Sequence, residues 1–326
     1  MQIGIDSFTL HPLNLTPLQM LDFAAAHGLA GVQFGGIRGI SPNLDPAELA
    51  AFRGRADALG LYTHTGVSPI NPVIHPGGAD ALVPRIREEI AAAARCGWRE
   101  LHTVINVGNE RYEHPVPWPA HVDGAIRVIN RLRPDLERHA CRVNIETHIE
   151  TTFDILAVIE ATAPHLAGVC LDTANTLVNA EDPLMAARRV APYTHLTHAK
   201  DAIVYFTDEG VTRQGKPPGQ GVVDFESILP VLAQHNPNLP LSIEDHKWLF
   251  TARVYDEDWL ARNPDLTPLE LARFIQLAWS VQKKFATREI PPPDEYEAPP
   301  FADELESRIA AGRDYLNALV KRLGLG

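Results

Sequence analysis

Four short apolar runs in the second half of the chain each stop at a side chain that can bind a metal. Val169-Cys170-Leu171 ends at Asp172, Arg142-Val143-Asn144-Ile145 at Glu146, Tyr193-Thr194-His195-Leu196-Thr197 at His198, and Leu239-Pro240-Leu241-Ser242-Ile243 at Glu244. Glu146 lies 26 residues before Asp172, and His198 lies 26 residues after it. That step suits one helix plus one strand. The step from His198 to Glu244 is 46 residues, because the long stretch 202–223 intervenes. In a parallel barrel the C-terminal strand ends converge on one face. Three carboxylates and one imidazole make an oxygen-rich donor set, suited to Mn²⁺, Mg²⁺, Co²⁺ or Zn²⁺ rather than a soft metal.

Other candidates surround this set. His148 is two residues beyond Glu146 and points to the same side of an extended chain. It is an acid, a base or a substrate contact, or else a plain loop residue. Lys200 stands in the same relation to His198, as a substrate contact or as the partner of a nearby acid. Asn175, three residues after Asp172, can hydrogen-bond a hydroxyl but cannot carry charge. His64 and His102 fall on strand-like runs and either line the pocket or sit satisfied in the barrel wall. Arg213 is either a contact for an anionic or hydroxylated substrate or an exposed loop arginine. Trp248 is expected to wall or cover the pocket.

The elements that must position these groups alternate along the chain, the pattern of an α/β fold with a parallel sheet. Strand-like runs fall near 3–8, 31–34, 61–66, 100–105, 142–146, 169–172, 193–198 and 241–244. Between them, helices are announced by caps with proline at the first helical position: Thr16-Pro17, Asp45-Pro46, Asp182-Pro183 and Thr267-Pro268. Val122, Ile126 and Ile129 form one helical stripe. The expectation is a (β/α)8 TIM barrel over 1–285. Residues 202–223 and 245–266 read as long loops. A proline-rich linker and an apolar-striped C-terminal helix fill 286–326, packing on the barrel or on another subunit.

Composition narrows the partners. The net charge of −12 argues against a basic nucleic-acid surface. Cys96, Cys141 and Cys170 form no CxxC pair, and the start, Gln2-Ile3-Gly4-Ile5-Asp6, has neither a basic region nor a long apolar run. Reduced thiols, a cytoplasmic location and no membrane span are expected.

The ordered motifs Ile145-Glu146-Thr147-His148, Leu171-Asp172-Thr173-Ala174-Asn175, His198-Ala199-Lys200-Asp201, Gly219-Gln220-Gly221-Val222-Val223-Asp224-Phe225 and Ile243-Glu244 resemble the xylose-isomerase-like TIM-barrel superfamily of sugar isomerases and epimerases. The resemblance implies that Glu146, Asp172, His198 and Glu244 hold one divalent metal, often Mn²⁺, that Glu146 and Glu244 also move protons, and that the ligand is a sugar or keto-sugar, with a homo-oligomer expected. Ketose 3-epimerases of this superfamily usually carry a His where this chain has Asn175. The stretch Ile243-Glu244-Asp245-His246 and the segment after it are similar to the large subunit of bacterial C-glycoside deglycosidases. That branch implies a lyase acting on an oxidised (3-keto) sugar, assembled with a small subunit.

Overall fold

The computed structural model describes residues 1–326. Eight strands form a closed parallel barrel: β1 (Ile3–Asp6), β2 (Gly31–Gln33), β3 (Tyr62–Gly66), β4 (Glu100–Thr103), β5 (Arg142–Glu146), β6 (Ala167–Asp172), β7 (Thr194–Ala199) and, after an insertion, β10 (Leu241–Ile243). Their order around the ring is β1-β10-β7-β6-β5-β4-β3-β2. All neighbouring pairs are parallel, as the βα alternation requires.

Local chemistry starts the helices where the caps stand. Thr16 and Thr151 form capping boxes with Gln19 and Asp154. Asp45, Asp182, Asp224 and Thr267 each accept a first-turn backbone N–H. The helices Gly78–Arg95 and Trp118–His139 bury one face each against the barrel, including Ile86, Ile90, Val122 and Ile129.

A Cβ on Gly4 would overlap the Tyr62 hydroxyl, and one on Gly31 would overlap its ring. The two glycines thus leave room for the Tyr62 side chain, whose hydroxyl meets Ser242 Oγ at 3.2 Å.

Two expectations need correction. Residues 202–223 are not a loop. β8 (Asp201–Thr207) and β9 (Gly210–Lys216) form an antiparallel hairpin, and β11 (Leu249–Ala252) adds to it as a third strand. The stretch 245–266 is therefore partly strand, and it also contains the short helix Glu257–Ala261. The first strand ends at Asp6, whose carboxylate accepts the Phe8 N–H at 2.8 Å and caps the 3-10 helix Ser7–Leu13.

The helix Pro268–Ala286 covers the hairpin strand β8, whereas the C-terminal helix Phe301–Arg322 packs on β1 and β10. Leu305, Ile309, Leu316, Leu319 and Val320 of that last helix join the same apolar core as the barrel. Arg308 from this helix grips Asp245 through two hydrogen bonds, 2.7 Å from Nε and 2.6 Å from Nη2. Lys247 donates to the carbonyls of Tyr296 and Pro299. No helix is long and apolar enough to cross a membrane.

Candidate metal centre and its two clefts

Strand register brings the four ligand-type side chains together. Asp172 on β6 is directly paired with His198 on β7, and His198 with Ser242 on β10. Glu146 closes β5, and Glu244 follows β10. Their donor atoms all lie within 4.8 Å of one another, and all four residues are buried. Ligand atoms about 2.0–2.2 Å from one ion lie roughly 3–4.4 Å apart, so the set needs only slight contraction to hold one.

His198 sits at the focus. Its Nδ1 is 2.7 Å from Glu244 Oε2 and 3.3 Å from Glu146 Oε1, yet it lines up with no hydrogen-bond partner. An unpartnered ring nitrogen facing carboxylate oxygens is what a ligating imidazole looks like before the cation is added. The other ring nitrogen, Nε2, meets Gln33 Nε2 at 2.7 Å. With the Gln33 amide oxygen toward the ring, it accepts the Nε2–H and leaves the Nδ1 lone pair free for a metal ion. The donor chemistry therefore fits a divalent ion.

Electrostatics say the same. Burial disfavours a charged His198, but Cys170, Glu146, Glu244 and Asp6 outweigh it and hold the ring well above its ordinary value. Burial raises Glu244, and Lys200 and His198 more than reverse this, leaving it well below the usual carboxylate range. Glu146 behaves likewise, pulled down by His198 and His102 against its burial. Burial, opposed by Lys200 and reinforced by the charges of Glu244 and Glu146, pushes Asp172 up to about 6. The cluster is a nest of carboxylates that recruits positive charge.

The other expected residues are placed as follows. Lys200, 2% exposed, bridges Glu244 Oε1 at 2.6 Å and Asp172 Oδ2 at 3.2 Å. His102 donates to or accepts from Glu146 Oε2 at 2.8 Å. Asn175 Nδ2 reaches Glu146 Oε1 at 3.4 Å. His148 lines the same cleft, with Nδ1 3.1 Å from the Asn106 carbonyl. Arg213 is no exposed loop residue: it lies on β9, 1% exposed, and donates to Asn175 Oδ1 at 2.8 Å while its guanidinium covers the Phe250 ring. Trp248 is 51% exposed at the mouth and packs edge-on to Phe8. His64 stands apart; it does not line the cleft, and burial, with Arg53, lowers it to about 4.

Sequence reasoning missed Asp6, Gln33 and His246. Asp6 Oδ2 is buried without a partner, 3.4 Å from His198 Nε2. His246 Nε2 is 3.6 Å from Glu244 Oε1, and burial with Lys200 and Arg213 nearby keeps its ring neutral. Asp6 and Gln33 end β1 and β2, so the strand-end rule that found the other four applies to them too.

Asp6, His102, Glu146, His148, Asn175, His198, Lys200, Glu244, His246 and Trp248 line a cleft of about 340 Å³ at the C-terminal mouth of the barrel, whereas Asp172, Gln33 and Arg213 do not reach its surface. A second cleft, about 570 Å³, adjoins it, and Ile149, Val178 and Phe250 contribute to the walls of both.

Comparison with known proteins is consistent with this architecture. The profile of the family described as xylose isomerase-like TIM barrel matches residues 21–263. A 3-oxo-isoapionate decarboxylase of Pectobacterium atrosepticum is 24% identical over 210 residues, covering 63% of this chain and 68% of that protein. The D-psicose 3-epimerase of Clostridium cellulolyticum H10, solved with D-tagatose, superposes with a TM-score of 0.68 at 12% identity, over 98% of this chain and 99% of that one. The 3-keto-D-glucoside 4-epimerase YcjR of E. coli gives 0.56 at 16% identity, over 85% and 99%. At these identities the solved structures speak for the fold alone.

Proposed function

The chain belongs to the xylose isomerase-like TIM-barrel family, and from that premise we propose that it is a divalent-metal-dependent sugar isomerase or epimerase. The observation that carries this reading is the pair Glu146 and Glu244, whose carboxylates both face His198 Nδ1, at 3.3 and 2.7 Å. Glu146, Asp172, His198 and Glu244 would hold the ion, with Mn²⁺ the first choice and Mg²⁺, Co²⁺ or Zn²⁺ the alternatives. When bound, the ion supplies Lewis acidity toward a substrate carbonyl and its neighbouring hydroxyl.

The protein's own groups do the rest. One glutamate removes the proton from the carbon beside the carbonyl, and the C–H electron pair moves toward the carbonyl oxygen to give an enediolate. His102 and Asn175 steer Glu146, and Lys200 steers Glu244. The other glutamate returns a proton. Return to the other face of the same carbon gives the epimer; return to the neighbouring carbon gives the isomer.

A second reading is favoured by His148 and by the decarboxylase relative. A related enolate arises when a 3-oxo acid loses CO₂, the C–C electron pair passing to the carbonyl oxygen before a proton is added at carbon, and the same proton abstraction precedes loss of a β-substituent. His148 holds Asn106 through Nδ1, which leaves Nε2 for proton transfer. On this reading the protein is a lyase on an oxidised (3-keto) sugar, such as the large subunit of a C-glycoside deglycosidase with its small subunit.

The test is proton NMR in D₂O with Mn²⁺-loaded protein and a panel of ketoses, 3-keto glycosides and 3-oxo sugar acids. Metal-dependent C–H exchange without elimination supports the first reading, and release of aglycone, water or CO₂ supports the second. No exchange and no release across the panel would overturn both.

A further inference from the structure

The reacting sugar occupies only the inner cleft on the reading above, and the following inference rests on that reading. At about 340 Å³ the inner cleft is near the lower end of the ~300–1,000 Å³ typical of small-molecule sites, and the outer cleft of about 570 Å³ is the larger of the two. The two share the side chains of Ile149, Val178 and Phe250. A ligand seated at the metal ligands thus has a built, larger space next to it that a single ketose leaves unused.

The lining tells what would fill that space. Tyr112 stacks on the buried Trp259, with centroids 6.1 Å apart and planes at 14°. Leu249, 49% exposed, adds an aliphatic surface beside Phe250. Flat apolar surface of this kind accepts the face of a ring. The charges disfavour an anion. Four acids, Glu113, Glu209, Asp256 and Asp258, line the cleft against two arginines. Arg253 is engaged by Glu209 at 3.6 Å, and Arg262 donates to the Tyr112 carbonyl at 2.8 Å. A phosphate or carboxylate there would meet mostly like charge, whereas ring hydroxyls would find carboxylate acceptors.

We propose that the outer cleft is a subsite for a neutral, ring-sized substituent carried by the sugar. The substrate class is then a glycoside, with its oxidised sugar at the metal ligands and a second sugar or an aromatic aglycone between Tyr112 and Leu249. A free or phosphorylated ketose leaves this subsite empty.

Isothermal titration of the Mn²⁺-loaded full chain with methyl β-D-glucoside, phenyl β-D-glucoside and cellobiose tests the assignment without requiring turnover. The ring-bearing probes should bind about tenfold or more tightly than the methyl glycoside. A gain for cellobiose alone identifies the substituent as a sugar, and a gain for the phenyl glycoside alone as an aryl group. Leu249→Ala removes one wall, and Thr251→Trp fills the cleft. Each should bring the ring-bearing probes back to the affinity of the methyl glycoside while leaving that affinity and the bound Mn²⁺ unchanged. Equal binding of the three probes, no measurable binding of any, or a gain that survives both substitutions overturns the inference. Failure of the parent reading shows differently, as absence of metal-dependent C–H exchange, and does not alter these ratios.

Discussion

Arg308 and Asp245 tie the C-terminal helix to the residue that follows Glu244, so breaking that pair should unsettle the whole fold. The pair is bidentate, at 2.7 and 2.6 Å, and the side chains are 5% and 1% exposed. Arg308→Met removes both charge-assisted hydrogen bonds and leaves the Asp245 carboxylate buried with no cation against it. Removing one partner of a buried ion pair costs about 3–5 kcal/mol, or roughly 10²–10⁴ in the unfolding equilibrium. Asp245→Asn together with Arg308→Met leaves no orphaned charge, and the double variant should recover much of that loss. The assay is urea unfolding of wild type, both single variants and the double variant, followed by tryptophan fluorescence and by circular dichroism. Coincident transitions and a coupling energy above about 1.5 kcal/mol are expected. A loss below about 1 kcal/mol for Arg308→Met, or strict additivity in the cycle, would refute the reasoning and make the helix a dispensable cover.

Three further outcomes are expected. His198→Ala should weaken Mn²⁺ binding about 100-fold or more, measured by metal analysis after dialysis; unchanged stoichiometry counts against the four-residue centre. His148→Ala should cost on the order of 10²-fold in product release if the protein is a lyase and little if it is an epimerase, with C–H exchange measured beside product in the same sample. The third concerns pH. His64 is held neutral, lowered by burial and Arg53 from 6.5 to about 4, so below pH 6.5 the unfolded chain binds a proton that the folded one refuses. Stability from this group is complete above pH 6.5 and is lost as pH falls toward 4, by up to about 3 kcal/mol. His64→Asn should flatten the stability profile between those pH values, and an unchanged profile contradicts the assignment.

Much of the candidate ligand cluster was legible in the sequence, because ligand types at the ends of buried strands are a local pattern repeated at the length of one βα unit. Asp172 and His198 were readable as neighbours for that reason, and register confirms them as partners. Arg213 was harder. Its setting depends on Ile203-Val204-Tyr205-Phe206-Thr207 pairing with 210–216 across Asp208-Glu209, a hairpin signal hidden among the glycines and prolines that follow. Its burial further depends on β11, a strand about 35 residues later, and no local pattern announces that pairing. The apolar stripe of the last helix was legible, but its seat on β1 and β10 was not, since a stripe says only that a face must be covered.

The place of Trp248 at the mouth of the cleft has a consequence for isotope traffic. On the proposed reading, a proton lifted from substrate at the cluster reaches bulk water through the mouth of the cleft, where the half-exposed Trp248 stands. While substrate fills that opening, the abstracted hydrogen stays with the glutamate that took it. Its return to carbon then competes with escape to solvent. The share of solvent deuterium found in product, against that in recovered substrate, therefore measures how often the mouth clears during one turnover. Widening the mouth at Trp248 should raise that share without touching the chemistry below.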